Sequence, residues 1–183
     1  MKMKTVYIRY VVLILIISYV VYSATGDRFP YDIDINVSQY SARYQRATKP
    51  QDVLRLYLDM DKDGGYLSNS VIKLMDKINH ENLFIQQEMK DITLIDKYKI
   101  KPIKAEKDRY EYSVDYNVVA MVEDYFSYKN NISIENKRVT LVKKGDKWVI
   151  SSQIFPHIRA NNYLNYIRRH SDKEYMELKA VLE

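Results

Sequence analysis

The chain has 183 residues, 46% of them hydrophobic and 29% charged, with a formal net charge of +5 and no cysteine. That length and balance allow one packed principal domain behind a short leader, and neither two independent cores nor a disordered chain. Without cysteine there is no disulfide framework, thiolate zinc site, thiol nucleophile or lipidated N-terminal cysteine.

The first 26 residues read as a signal anchor or a signal peptide. Lys2, Lys4 and Arg9 precede an uncharged stretch from Tyr10 to Gly26, within which Val11 to Ile17 is wholly aliphatic. A bilayer-crossing helix takes about 20 apolar residues and a cleavable signal a core of about 7 to 15, so the stretch lies between the two. Tyr19 and Tyr22 would suit the outer membrane interface of an anchor, and the basic residues stay on the cytoplasmic side. The body, residues 27–183, is thereby expected outside the cytoplasm, membrane-anchored if the leader stays, secreted or periplasmic if it is cleaved.

The leader also carries most of the charge excess. The remaining chain has 26 basic and 24 acidic residues, interleaved along its length. Nucleic-acid binders gather cations on one face, so no nucleic-acid partner is expected. The densest run, Lys97, Lys99, Lys101, Lys104 and Lys107, alternates with apolar residues in its first part and reads as the solvated side of a strand.

Residues 27–49 are polar with scattered aromatics and read as a linker or loosely docked arm. Pro50 suits a first helical turn, and Val53, Leu54, Tyr57 and Leu58 recur at helical spacing, which predicts a helix over about 50–60. Asp63, Gly64 and Gly65 break it. Ser68 or Ser70 can cap a second helix whose buried stripe is Val71, Leu74, Met75 and Ile78. The period then changes to two. Ile92, Leu94, Tyr98 and Ile100 form a first strand interrupted by Asp96. Tyr110, Tyr112, Val114, Tyr116, Val118, Ala120 and Val122 form one face of a long second strand, opposite Glu111, Ser113, Asp115, Asn117 and Glu123. A third strand over about 132–143 turns at Lys144, Gly145 and Asp146 into Trp148, Val149 and Ile150. Residues 159–183 return to helix, as a C-terminal extension divided by a capping box of Ser171 and Glu174. Its Arg159, Arg168, Arg169 and Lys173 lie among Tyr163, Leu164, Tyr166 and Ile167, the pattern of an amphipathic helix packed on its own domain or set against an anionic membrane or partner.

The expected class is α+β, with helices first and then a curved antiparallel sheet. This order, with the Lys144-Gly145-Asp146-Lys147-Trp148-Val149-Ile150 hairpin, resembles the NTF2-like (cystatin-like α+β cone) superfamily over residues 50–158. Val53-Leu54-Arg55-Leu56-Tyr57-Leu58, then Asp63, Gly64, Leu67 and Ser68, and Phe155-Pro156-His157-Ile158, are similar to a bacterial exported NTF2-like group of unassigned activity. The resemblance implies a sheet curled around the helices and a pocket at the open end of the cone. It admits isomerases and dehydratases as well as binding and assembly modules, so the fold does not by itself fix a function.

Three sets of residues are candidates for chemistry. Asp59, Asp61 and Asp63, followed by Gly64, match the start of a calcium loop, where alternate carboxylates converge on a hard cation. The match ends there, because Ser70 stands where a bidentate glutamate closes such loops, so bound calcium would be weak. The alternative is a helix end with solvated aspartates. Asp96, Tyr110, Tyr112, Tyr116 and Trp148 are the pocket candidates, with the aromatics equally suited to core. Asp115 faces away from Tyr112 and Tyr116, against a shared acid–base pair, and Asp96 reads as a pocket group or a bulge. His80, His157 and His170 are too scattered for a metal site, and His157 is expected to close the last strand. Asn36 and Asn131 begin N-x-S triplets. These readings together point to a tethered, non-catalytic binding or assembly module with a protein partner or self-association. An enzyme using the cone pocket is the alternative.

Overall fold

The computed structural model describes residues 35–79, 92–123 and 127–183. The leader, the start of the arm and His80 lie outside them. Among the described residues no helix is long and apolar enough to cross a membrane.

Within the stretch read as a linker or loosely docked arm, the described part is largely helical. Helix α1 runs Val37–Arg46 and starts at Asn36, whose side-chain oxygen accepts the Ser38 backbone N–H at 3.0 Å. Its apolar stripe is sparse, with Tyr40 buried and Val37, Tyr44 and Ala47 partly buried against the same core, and hydrogen bonds from Tyr40 to Asp63 and from Arg43 to Asp59 add to its docking. Helix α2, Pro50–Lys62, has proline in its first turn and buries Val53, Leu54, Leu56, Tyr57, Leu58, Met60 and Asp61. It stops where Gly64 turns left-handed at φ 90°. Gly65 follows because a Cβ there would lie 2.8 Å from the Met60 carbonyl oxygen and 2.6 Å from Met75 Sδ. A single 3-10 turn, Gly65–Leu67, leads into helix α3, Asn69–Ile78, which buries the expected Val71, Leu74, Met75 and Ile78.

Five strands follow: β1 Ile92–Ala105, β2 Arg109–Glu123, β3 Ser127–Lys144, β4 Lys147–Ile150 and β5 His157–Arg159. They make one sheet in the order β4-β3-β2-β1-β5, antiparallel except for β5, which runs parallel to β1. The sheet is strongly curled into a half-barrel. Register shifts at Leu94/Ile95, Ile95/Tyr98, Pro102/Lys104 and Val118/Ala120 supply the bends, since an extra residue on one strand increases local twist. β2 keeps strict alternation, with every even residue from Tyr112 to Val122 buried.

That one face of β2 serves two sets of helices. Tyr112, Val114, Tyr116 and Val118 pack with α2 and α3, together with Val139, Leu141, Trp148 and Ile150. Ala120 and Val122 pack with Ile92, Leu94 and Ile158 against helices α4, Ala160–Arg168, and α5, Asp172–Leu182. The C-terminal helices thus pack on the domain itself, as their amphipathic pattern suggests. The division between them falls where expected, with Ser171 Oγ accepting the Glu174 backbone N–H. The opposite face of the sheet carries polar pairs, among them Asp115, which accepts from Lys101 Nζ at 2.7 Å and from Asn136.

Candidate functional site

The buried stripe of α2 passes from Leu54 through Tyr57 and Leu58 to Asp61. A carboxylate in the last turn of the helix is thus carried into the interior, where it is 1% exposed. β5 meets it there. The His157 backbone N–H donates to both Asp61 carboxylate oxygens at 3.1 Å, and its ring Nδ1 lies 3.7 Å from Asp61 Oδ2, at ion-pair distance. Nε2 lies 3.2 Å from Glu135 Oε2 on β3, and the Tyr116 ring stacks on the imidazole with centroids 3.7 Å apart and planes 6° from parallel. Glu135 Oε1 also pairs with Lys137 Nζ at 2.6 Å.

Burial alone would push the His157 pKa down, but Asp61 and Glu135 outweigh it and raise it to about 9. The hydrogen bond from His157, helped by Lys137 and opposed by burial, holds Glu135 down at about 2. Burial pushes the Asp61 carboxyl up, against the pull of His157. At neutral pH the ring is an imidazolium set between two acidic groups and under a tyrosine face, an arrangement that keeps a buried charge compensated.

The other two aspartates of the run face elsewhere. Asp59 accepts from Arg43 Nη2 at 2.8 Å, Lys62 Nζ at 3.1 Å and the Tyr98 hydroxyl at 2.7 Å. Burial works against its charge, yet Arg43, Tyr98 and Lys62 together hold its carboxyl below the usual range. Asp63 accepts from the Tyr40 hydroxyl at 2.6 Å and from Asn162 Nδ2 at 3.1 Å. The three carboxylates serve three separate donor sets. Among the described residues no group of three or more His, Cys, Asp or Glu side chains is placed to hold a metal ion.

Beside this cluster is an open cleft of about 300 Å³ lined by Arg55, Lys62, Lys97, Tyr98, Ile100 and Arg159. Its origin is topological. β5 pairs with β1 only from Thr93 to Ile95, so β1 is left uncovered on that side beyond Ile95. The register shift between Ile95 and Tyr98 accommodates Asp96 and Lys97, which are both exposed. Arg55 and Lys62, seven residues apart on α2, share one side of that helix, and Arg159 comes from the junction of β5 with α4. Lys62 Nζ lies 5.7 Å from the Tyr98 ring centroid as well as on Asp59. Among the described residues the lining holds four cations and no carboxylate.

The five pocket candidates do not share a site. Asp96 is 64% exposed at the register shift, 3.6 Å from Lys97 Nζ. Tyr110 stacks on Tyr112 at 6.3 Å and meets Trp148 edge-on at 5.2 Å, so these three form an aromatic group against the helices. Only Tyr116 joins the His157 cluster. Sequence reasoning misses Glu135, Tyr98 and Arg55 as site residues, takes His157 only as closing the last strand, and names Arg159 only as a helix cation that could meet an anionic partner. One signal was available, since Asp61 falls on the apolar spacing of α2 and a carboxylate there calls for a buried partner.

Comparison of the chain with protein-family models, with curated proteins and with solved structures gives no match.

Proposed function

We propose that the chain is an exported NTF2-like binding or assembly module, held at a membrane by its N-terminal segment and without catalytic activity. The observation that carries this reading is the state of the concave side of the sheet. Side chains from Tyr112 to Val122 fill it from the β2 side, and helices from both ends of the chain cover it. A general acid or base needs a cavity for substrate within reach of its proton. His157 is instead 1% exposed with an acidic group near each ring nitrogen, and the open cleft is lined by cations and by a phenol that donates to Asp59. The order of helices followed by a curled sheet supports the NTF2-like assignment, and the basic, then aliphatic, leader supports export.

Assembly is supported by the edge of β3. β4 covers only Leu141–Lys144, and Ile132 and Ile134 stand 82% and 74% exposed on the uncovered length. An unpaired strand with exposed apolar side chains invites a partner. Native electrophoresis of the full chain in a neutral detergent tests this reading. The expected result is a species larger than a detergent-bound monomer, reduced to monomer by the paired substitution I132D/I134D. A wild-type monomer in membrane extracts and after purification would defeat the assembly reading.

A further inference from the structure

We propose that the cleft between α2, β1 and the β5–α4 junction binds the phosphate group of a small phosphorylated organic molecule. This rests on the binding-module reading and names the ligand class.

The four cations differ in how they are held. Lys62 is fixed by Asp59 and the face of Tyr98, while Lys97 reaches only the exposed Asp96 at 3.6 Å. Arg55 and Arg159 make no ion pair with a carboxylate among the described residues. Arg55 is exposed and Arg159 half-buried, whereas the cations beside them at Asp59 and Asp61 are paired, Arg43 with Asp59 and His157 with Asp61 and Glu135. Like charges gathered around one opening repel, and an anion seated among them removes that repulsion. Two unpaired guanidiniums favour phosphate in particular, since the planar fork of arginine donates two parallel hydrogen bonds to its oxygens. Arg159 is also the N-cap of α4, a nine-residue helix with no side-chain cap and no acid in its first turn, so the helix dipole adds positive potential nearby.

Tyr98 and Ile100 form the remaining wall, which suits an organic body rather than a bare ion. The cleft is at the lower end of ligand-pocket sizes, so the body is small. A long polyanion is disfavoured, because basic and acidic residues are interleaved over the rest of the body, which is nearly balanced in charge.

The test is calorimetric titration of the full chain in neutral detergent, at about 150 mM salt so that distant charges are screened. Glycerol 3-phosphate is one probe, and phosphatidic acid in the same micelles is the other. Saturable one-to-one binding of the soluble ester supports the proposal and points to a metabolite. Binding of the lipid alone supports it and points to a headgroup. In either case R55Q/R159Q weakens binding by about tenfold or more, K97Q weakens it by a smaller factor on a side chain too exposed to disturb folding, and K129Q, which removes a cation outside the cleft, leaves it unchanged. No saturable binding of either probe, or equal binding by R55Q/R159Q and wild type, overturns the assignment and leaves the binding-module reading standing. Phosphate release from bound ester would do the reverse, retaining the site and defeating the non-catalytic reading.

Discussion

His157 and Arg159 stand two residues apart on the same short strand and belong to opposite electrostatic regimes. The imidazolium is sealed between Asp61 and Glu135 beneath Tyr116, while the guanidinium opens into a cleft whose described lining has three further cations and no carboxylate. The difference follows from solvent. A charge withdrawn from water demands a partner, because its desolvation cost is otherwise several kcal/mol, whereas a charge in contact with water can stay unpaired. Charge pairing therefore separates the buried His157, which holds the fold together, from Arg159 and Arg55, which are available to a ligand.

The most severe break of this contrast is at Asp61. D61A leaves the His157 backbone N–H without its acceptor and the buried imidazolium with Glu135 alone, and it is expected to lower stability by about 3 to 5 kcal/mol. D61N, which keeps an acceptor oxygen, should lose less. Urea denaturation of the two variants measures the gap, and a loss below about 1 kcal/mol for D61A would show that the enclosed cluster is not compensated in the way argued.

The next effect is a pH dependence. His157 has its pKa raised from an ordinary 6.5 to about 9 in the folded chain. A raised basic group binds its proton more tightly when folded, so its contribution is fully present below about pH 6.5 and is lost as pH rises through about 9. The shift corresponds to about 3 kcal/mol at most, reduced by the cost of burying Asp61. Melting temperatures of the wild type should therefore fall between about pH 7 and pH 9.5, and H157Q should start lower and show a flatter profile over that window. Parallel profiles for the two proteins would remove the imidazolium from the account.

What the sequence makes visible tracks how local the cause is. β2 is legible because alternation from Tyr110 to Val122 needs only its own residues, and the break between α4 and α5 is legible because Ser171 caps a helix three residues on. Helix α1 is not, since its stripe is too thin to announce itself and its docking draws on Tyr40 reaching Asp63 and Arg43 reaching Asp59. The His157 cluster joins residues 96 positions apart, so only its Asp61 half leaves a trace, as a carboxylate on an apolar helical face. The cleft leaves none. Arg159 reaches Lys97 and Arg55 through a three-residue parallel pairing of β5 with β1, and no local period encodes that juxtaposition.

Capping at Ser171 gives a smaller, local effect that stands outside both charged groups. S171A removes the acceptor for the Glu174 backbone N–H and is expected to cost about 1 kcal/mol, within the range of lost helix caps. Hydrogen exchange should quicken across α5 before it does so in β2, because Leu178 is the only residue that α5 buries fully.

The smallest change in stability is expected in the cleft, and it is the sharpest discriminator between the two regimes. R55Q/R159Q removes two charges that meet no carboxylate, so no buried partner is abandoned and part of the repulsion with Lys62 and Lys97 is relieved. The midpoint in urea should stay within about 0.5 kcal/mol of wild type or rise slightly. A loss comparable with that of D61A would mean that the arginines are structural after all, held by contacts as essential as those of His157. The open cleft would then be a second enclosed cluster, and the distinction between folding charge and ligand charge would fail on this strand.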